Sequence, residues 1–228
     1  MSSILIIGAS RGLGCAMAAE FAARQWSVLG TVRGPGTPLH GLADERPGAV
    51  EIETLDLTDH GQILAMRDHL AGRRFEIVFV NGGVVNRTPT DTMADVSTDA
   101  FVQVMVTNVL GVMRAVEAFG ALAAPDGVIG AMSSGQGSIA NNLNGVNDVY
   151  RASKAALNQA MSSYAGRRAG DGRAVILMAP GWIRTALGGA NAPFTAEEAM
   201  PRIADTLIAQ RGLPGLRFLD REGRTVPW

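Results

Sequence analysis

The chain is short of cysteine, histidine, net charge and long apolar runs, and each shortage narrows what it can be. It contains one cysteine, Cys15, and three histidines without metal-ligand spacing, which argues against an internal disulfide and a zinc site. The formal net charge is -1 and no basic run occurs, so nucleic acid is not expected as a partner. Uninterrupted apolar runs such as 4–7 and 78–80 are too short to span a bilayer, and no basic region precedes an apolar one near the first residue. We therefore expect no metal, no membrane partner and a cytoplasmic location.

Lysine is scarcer than any other charged residue, and its position is informative. Lys154 is the only lysine among the 20 Lys+Arg, and it follows Tyr150, one of two tyrosines, by four residues. On a helix these two side chains share a face, and a nearby cation is expected to lower the pKa of a phenol toward neutrality. The spacing predicts a proton-transfer pair, although Lys154 on the solvated face of an amphipathic helix would give the same spacing.

The rest of the chain has the composition of one globular core, and we predict a single domain over residues 1–228. Of its 228 residues, 47% are hydrophobic and 18% are charged. Short apolar, β-branched segments alternate with helical patterns, which predicts an α/β protein with a parallel sheet covered by helices on both faces. Strands are expected over 3–7, 27–32, 50–55, 75–80, 127–132, 174–178 and 216–219, and the longest helices over 98–123 and 150–169.

A glycine-rich turn follows the first predicted strand. It reads Gly8-x-x-x-Gly12-x-Gly14, and a helical pattern begins at once. Such a turn lets a phosphate approach the backbone and the unpaired N–H groups at the start of the helix. The order of strand, turn and helix predicts a dinucleotide site.

Polar or glycine motifs also follow the other predicted strands. The carboxyl ends of parallel strands lie at one edge of the sheet, so these motifs are expected to form one site. They are Arg33, Asp56-Leu57, Asn81-Gly82-Gly83, Ser133-Ser134 and Pro180-Gly181-Trp182-Ile183-Arg184-Thr185.

With Asn108 and Tyr150-x-x-x-Lys154, these motifs carry a resemblance that covers essentially the whole chain. The sequence resembles the short-chain dehydrogenase/reductase family, and its ending, 218–228, resembles the compact C-factor-like branch. The resemblance implies a Rossmann-type, doubly wound parallel sheet and an oxidoreductase that moves a hydride between a nicotinamide cofactor and a carbonyl or alcohol.

The resemblance also implies roles for individual residues. Tyr150 would donate a proton and Lys154 would lower its pKa and hold the nicotinamide ribose. Ser134, rather than Ser133 or Ser138, would stabilise the developing alkoxide. Asn108 would hold a water that feeds protons to Lys154, with a structural helix kink as the alternative. The implied cofactor residues are Gly8, Ser10, Arg11, Gly12, Leu13 and Gly14 at the pyrophosphate and adenosine ribose, Asp56 and Leu57 at the adenine, Asn81, Gly82 and Gly83 beside it, Lys154 and Tyr150 at the ribose, and Pro180, Gly181, Ile183 and Thr185 at the carboxamide.

Two positions depart from the family pattern. Ile7 stands where a threonine is usual before the first glycine, and Val80 stands where the first of two asparagines is usual. Both family residues support the turn and the sheet, so the departures put local rigidity in doubt.

The cofactor is expected to be NADP, as NADPH, with NAD as the alternative. Arg33 occupies the position at the end of the second strand where an acid would select NAD, and Arg11 lies within the turn. Guanidinium groups bind a 2′-phosphate with paired N–H donors. Both arginines could instead be solvated surface residues.

Substrate and assembly are less constrained. The segments 136–149 and 186–193 carry mostly small, neutral side chains, which indicates an uncharged small-molecule carbonyl or alcohol. The helices over 98–123 and 150–169 are more apolar than one buried face requires, which indicates a homodimer or homotetramer. A dinucleotide-binding sensor with little turnover is the rival interpretation, and an epimerase or dehydratase on nucleotide sugars is a weaker one.

Overall fold

The fold is built on a parallel sheet whose strands are buried on both faces. A computed structural model describes residues 2–86, 88 and 90–228. The strands are β1 Ser3–Ile7, β2 Ser27–Val32, β3 Val50–Thr54, β4 Phe75–Val80, β5 Ala123–Met132, β6 Ala174–Ala179 and β7 Gly215–Asp220. They pair in parallel in the order β3-β2-β1-β4-β5-β6-β7.

Helices cover both faces of this sheet. Alternate residues of β1 show the division, because Ile4 and Ile6 pack into one apolar cluster while Leu5 and Ile7 pack into the other. The first cluster is covered by α1 Gly12–Ala23, α2 Pro38–Glu45 and α7 Ala196–Ala209, and the second by α3 His60–His69, α5 Val112–Phe119 and α6 Asp148–Arg167, with α4 Thr98–Met105 beside α6. This arrangement confirms the predicted Rossmann-type doubly wound sheet.

The helix predicted over 98–123 is interrupted. A π-helical stretch, Val106–Gly111, joins α4 to α5, and a 3-10 turn, Gly120–Leu122, follows. At Gly111 a Cβ would lie 2.5 Å from the carbonyl oxygen of Leu57, so the backbones meet here without a side chain between them. The wider π turn occurs where the chain is pressed against the end of the segment after β3.

Strand β5 begins four residues earlier than predicted. It starts at Ala123 rather than Gly127, and its register with β4 shifts between Phe75 and Ile77. Pro125 and Asp126 lie exposed within the irregular first part of the strand, where lost pairing is tolerated.

One helix among the described residues is long and apolar enough to cross a membrane. It runs over Thr98–Leu122, 25 residues with a mean hydropathy of 1.3, and 44% of its most apolar stretch is buried in the fold. The sequence analysis considered only uninterrupted apolar runs and did not identify this helix, because polar residues such as Asn108 interrupt its apolar run. Its central part packs against β4, β5 and α6, as the core helix of a globular protein does.

The strand order fixes where a ligand can bind. β1 lies between β2 and β4, so the connections leaving the adjacent strands β1 and β4 run to opposite sides of the sheet. Such a reversal opens a crevice at the carboxyl ends of the strands. The motifs after β1 to β6 all lie at this edge.

Candidate active site

The glycine turn is held by the neighbouring strand. Gly8 has a φ of +90°, and its N–H donates to the Thr31 hydroxyl at 2.9 Å, while the Ala9 N–H donates to the Thr31 carbonyl at 2.8 Å. Thr31, buried within β2, therefore supplies the support that Ile7 cannot. The sequence shows only a threonine within an apolar strand, and this alone did not predict that Thr31 supports the turn.

The second support of the turn is Asn81. Its side-chain amide donates to the Gly8 carbonyl at 3.0 Å, and its N–H donates to the Ile7 carbonyl at 2.8 Å. A Cβ at Gly14 would lie 2.1 Å from that same Gly8 oxygen, so only glycine allows α1 to begin this close to β1. The structure thus uses the Asn81 side chain to stabilise the turn, and Val80 is an ordinary buried strand residue.

The start of α1 is open to an anion. Arg11 is its N-cap, no side chain in the described part of the chain caps the helix, and no acidic residue lies in its first turn. The N-termini of α3, α4 and α7 are instead capped by Asp59, Ser97 and Thr195. The uncapped N–H groups of α1 and its positive end are therefore available to a phosphate.

The predicted adenosine end has two exposed arginines, one of which lies near a carboxylate. Arg11 and Arg33 are exposed, and Ser10 between the turn glycines is half-buried. Hydrogen bonds from the N–H and hydroxyl of Thr58, both at 2.8 Å, hold the pKa of Asp56 below its ordinary value, and the charge of Arg33 acts in the same direction. Arg33 and Asp56 are thus neighbours at this end.

Two of the predicted cofactor residues have side chains that pack into the core. Leu13 packs against the cluster under α1, and Leu57 is buried. A Cβ on Gly82 would lie 2.0 Å from Leu57, so Gly82 leaves room for that leucine. Any contact of Leu13 or Leu57 with a cofactor would come from the backbone.

The opposite wall of the crevice is the segment after β6. Gly181 has a φ of +91°, Pro180 is buried, and Ile183 is 3% exposed and bridges to Phe194. The Thr185 hydroxyl accepts a hydrogen bond from the Gly188 N–H at 3.0 Å. A Cβ at Gly12 would lie 3.8 Å from the Thr185 methyl carbon, so the glycine turn and this segment face each other.

At the centre of the crevice, α6 brings Tyr150 and Lys154 against the end of β5. The Tyr150 phenol has the Ser134 hydroxyl as its neighbour, and this hydroxyl acts to lower the pKa of the phenol. The Lys154 ammonium donates to the Met132 carbonyl at 2.9 Å and lies 5.7 Å from the centroid of the Tyr150 ring. Ser133 points instead into the core and Ser138 holds a neighbouring loop, so Ser134 is the serine that meets the phenol.

Burial sets the protonation of both groups. It lowers the pKa of Lys154 from its ordinary value near 10.5 to about 8, because water is excluded from an ammonium that is 2% exposed. Burial also raises the pKa of Tyr150, and the neighbouring Ser134 hydroxyl only partly offsets this. The pKa of the phenol is thus raised in this arrangement rather than lowered as expected, because desolvation is the largest influence on it.

Asn108 joins this group from the π-helical stretch. Its side chain accepts from the Val84 N–H at 2.8 Å and donates to the Val84 carbonyl at 2.8 Å and to the Ser153 hydroxyl at 3.0 Å. Ser153 in turn donates to the Tyr150 carbonyl at 2.7 Å. Asn108 therefore links the strand-end segment after β4 to α6, and Ser153 is a partner that the motif spacing did not reveal.

Gly83 leaves a gap between the two polar groups. A Cβ there would lie 3.4 Å from the Lys154 nitrogen and 3.6 Å from the Asn108 side-chain oxygen. With the uncapped α1 and the facing Thr185, the crevice offers a path from the glycine turn to Tyr150. The residues present fit a dinucleotide.

We predict that Lys154→Met stabilises the fold while removing the buried charge. Burying the charged lysine, whose pKa falls to about 8, lowers the free energy of unfolding of the wild type by about 3 kcal/mol at neutral pH. The substitution removes this cost but also removes the hydrogen bond to the Met132 carbonyl. We therefore expect the free energy of unfolding to rise by on the order of 2 kcal/mol. The unfolded chain keeps the lysine proton up to about pH 10.5, whereas the folded chain releases it near 8. The gain is therefore full below pH 8 and decays between pH 8 and 10.5.

Chemical denaturation of both proteins across this pH range measures the difference. Arg167→Met removes an exposed cation from the same helix and serves as the control, with no pH-dependent gain. A Lys154→Met protein that is less stable than the wild type at pH 7 would contradict the prediction.

Comparison with known proteins agrees with this geometry. A family model for short chain dehydrogenases matches residues 2–195. A short-chain dehydrogenase/reductase from Burkholderia multivorans with bound NADP is 54% identical, with a TM-score of 0.98 over 100% of this chain and 99% of that one. A carbonyl reductase from Pseudomonas aeruginosa in complex with NADP is 32% identical, with a TM-score of 0.92 over 100% of both chains.

The similarity to the C-factor-like branch is also confirmed. C-signal from Myxococcus xanthus is 37% identical over 100 residues, which are 42% of this chain and 58% of that protein. The family predicted from the strand-end motifs is therefore the right one. The chain belongs to the short chain dehydrogenase family and is an NAD(P)-dependent oxidoreductase.

Proposed function

We propose that the protein is an NADPH-dependent carbonyl reductase. The observation that carries the proposal is the buried Lys154, bonded to the Met132 carbonyl at 2.9 Å and lying 5.7 Å from the centroid of the Tyr150 ring, with the Ser134 hydroxyl next to the phenol. A pure dinucleotide sensor needs the glycine turn but neither a buried cation nor two hydroxyls meeting at one point. The similarity to carbonyl reductase of Pseudomonas aeruginosa supports the same activity.

In the proposed reaction, bound NADPH supplies the hydride to the carbonyl carbon. The Ser134 hydroxyl donates a hydrogen bond to the carbonyl oxygen, where negative charge develops. Tyr150 transfers its phenolic proton to that oxygen, and its raised pKa keeps the phenol protonated at neutral pH, as a donor requires.

Lys154 and Asn108 act after the proton has left. The ammonium beside the ring stabilises the phenolate that remains. The gap at Gly83, bounded by Lys154 and Asn108, gives room for a water through which a solvent proton returns to Tyr150. In this proposal the Asn108 side chain holds the water that returns the proton, while its other hydrogen bonds keep α6 in place.

We infer a preference for NADPH over NADH from Arg11 and Arg33. Both are exposed at the predicted adenosine end, and Arg11 occupies the N-cap position of α1 without its side chain capping the helix. Asp56 lies close to Arg33, but its carboxylate is engaged by Thr58, which leaves the guanidinium free to meet a 2′-phosphate. The NADP bound to two similar structures supports the same choice.

The mouth of the crevice favours an uncharged, apolar carbonyl substrate. Large exposed apolar side chains border it on the loop after Ser138 and on the segment after β6. Met93 is also nearby, because its N–H donates to Asp148 at the start of α6. The group is Met93, Ile139, Leu143, Val146, Trp182, Leu187 and Trp228.

We further propose a homodimer or homotetramer in the cytoplasm. Val102 on α4 and Leu110 on the π-helical stretch are 47% and 44% exposed. A groove of about 320 Å³ beside them is lined by Leu64, Leu110, Met113 and Ala118 with charged residues at its rim. A second copy packed on this face would cover apolar surface that a monomer leaves in water.

Tyr150→Phe tests the activity itself. Turnover is expected to fall by about 10²–10⁴, because the proton donor is lost, while NADPH affinity stays within about threefold. The measurement is NADPH oxidation with aldehydes, diketones, quinones and hydroxysteroids. Neutral substrates should be turned over faster than carboxylate-bearing analogues. No turnover by the wild type with any class would support a sensor, and near-normal turnover by Tyr150→Phe would contradict the mechanism.

Arg11→Ala and Arg33→Ala test the cofactor preference. Each charge-assisted contact should contribute roughly 1.5–3 kcal/mol, so the double variant should lose about two to four powers of ten in its preference for NADPH. Steady-state kinetics with both cofactors measures this, with Arg74→Ala, an exposed arginine before β4, as the control. A wild type that uses both cofactors equally, or variants with unchanged preference, would refute the assignment.

Light scattering at micromolar concentration tests the assembly. The expected species has two or four times the 23.8 kDa of one chain. Val102→Asp with Leu110→Glu should yield monomers, because charge is placed on the proposed apolar face. The control is Leu143→Asp, because Leu143 is 92% exposed but lies outside this face, and this variant should keep the assembly of the wild type. A monomeric wild type would count against the proposal.

A further inference from the structure

Three polar side chains on one face of α6 contact the same short segment, 132–137. Tyr150, Lys154 and Asn158 are spaced four residues apart and therefore stack along the helix. Tyr150 meets Ser134, Lys154 meets the Met132 carbonyl, and Asn158 meets residues on either side of Ser134. The first two belong to the site described above, and the third has no role there.

The Asn158 amide is fully buried and its orientation is determined. Its Nδ2 donates to the Gly137 carbonyl at 3.2 Å, and its Oδ1 lies 2.6 Å from the Ser133 hydroxyl. A carbonyl can only accept, so the Gly137 contact fixes which end of the amide is nitrogen. Ser133 must then donate to Oδ1. Asn158 is 4% exposed and Ser133 is 2% exposed.

These two bonds enclose the turn that carries Ser134. Ser134 begins the 3-10 turn Gly135–Gly137, with its hydroxyl accepting from the Gln136 N–H at 3.1 Å. At Gly137 a Cβ would lie 2.9 Å from Lys154 Cβ and 3.0 Å from Asn158 Nδ2, so the turn rests directly on the helix. Ser133 is held before Ser134 and Gly137 is held after it, and both are held by one side chain of α6.

We propose that Asn158 and Ser133 are positioning residues that hold the Ser134 hydroxyl against the Tyr150 phenol. The role rests on the proposed function, since it matters only if Ser134 and Tyr150 act on one oxygen. An aliphatic pair would fill the same space without burying an amide and a hydroxyl, whose bonds contribute little net stability. What the polar pair adds is a fixed distance between the turn and the helix.

Kinetics in a double-mutant cycle tests the coupling. Asn158→Leu should lower kcat by about 10- to 100-fold, below the loss for an entire oxyanion donor, with NADPH affinity within about threefold. In a Ser134→Ala background the same substitution should have no further effect on kcat, because the hydroxyl it positions is gone. An equal loss in both backgrounds, or kcat within twofold of wild type for Asn158→Leu alone, would overturn the proposal.

A spectroscopic measurement tests the placement without turnover. Tyr164 is the only other tyrosine, and its buried hydroxyl has no partner among the described residues, so Tyr164→Phe should be tolerated. In that background, the ¹³Cζ signal of labelled Tyr150 reports the hydrogen bond at its oxygen. Asn158→Leu should move this signal to its position in Ser134→Ala, and an unmoved signal would overturn the proposal even if the protein proved to be a sensor.

A stability comparison separates positioning from folding. Asn158→Leu leaves the Ser133 hydroxyl and the Gly137 carbonyl unpaired, whereas adding Ser133→Ala removes the first of these and should recover part of the stability. The double variant should still show the kinetic loss. Thr206→Val, which removes a buried hydroxyl bonded to the Arg221 carbonyl, is the matched control and should lower stability but not kcat. Recovery of kcat together with stability in the double variant would assign the pair to folding alone and overturn the proposal.

Discussion

A lysine ammonium held away from water is the constraint on which the rest of the site depends. Transfer of a charge out of water is tolerated only when polar groups are fixed around it. Lys154 has the Met132 carbonyl at 2.9 Å and the face of the Tyr150 ring. Each of these is set by the fold, because Met132 ends β5 and Tyr150 lies one turn earlier on α6. On the side of Gly83, a Cβ would lie 3.4 Å from the Lys154 nitrogen, so no side chain separates the ammonium from this part of the backbone.

The same requirement explains the polar groups buried around this lysine. Asn108, Ser153, Ser133 and Asn158 all lie in apolar surroundings, and each has its hydrogen-bonding groups paired. They tie the segments after β4 and β5 to α6, so three separate parts of the chain keep a fixed spacing. Tyr164 on the same helix shows the contrast, because its buried hydroxyl has no hydrogen-bond partner among the residues that the structure describes. Order in the site thus comes from two separate groups of hydrogen bonds on α6, one through Asn108 and Ser153 and one through Ser133 and Asn158.

Much of the fold and the site was predictable from the sequence, because both depend on patterns that repeat along the chain. Apolar strands followed by glycine or polar residues placed Gly8, Asn81 and Ser133-Ser134 at one sheet edge, while Tyr150 was identified by its spacing to Lys154. The π-helical stretch was not predictable, since it depends on the contact of Gly111 with the Leu57 carbonyl, far away in sequence.

Two further features of the site could not be predicted from the sequence, and each has a physical cause. Spacing gave the proximity of Lys154 to Tyr150 but not the desolvation of both, and desolvation decides that the pKa of the phenol is raised. The roles of Thr31 and Asn158 were not predicted, because a single polar residue in an apolar segment gives the same sequence pattern whether it faces solvent or supports a turn. Only the partner across the fold distinguishes the two cases.

The central claim is that the crevice from α1 to Tyr150 holds a dinucleotide with its reactive end at the buried lysine. A crystal structure with NADP⁺ tests it most directly. The account predicts the 2′-phosphate between Arg11 and Arg33, the pyrophosphate at the uncapped start of α1, and the nicotinamide ribose within hydrogen-bonding distance of Lys154 and Tyr150. A bound dinucleotide whose nicotinamide lies out of reach of Tyr150, or whose 2′-phosphate meets neither arginine, would contradict it.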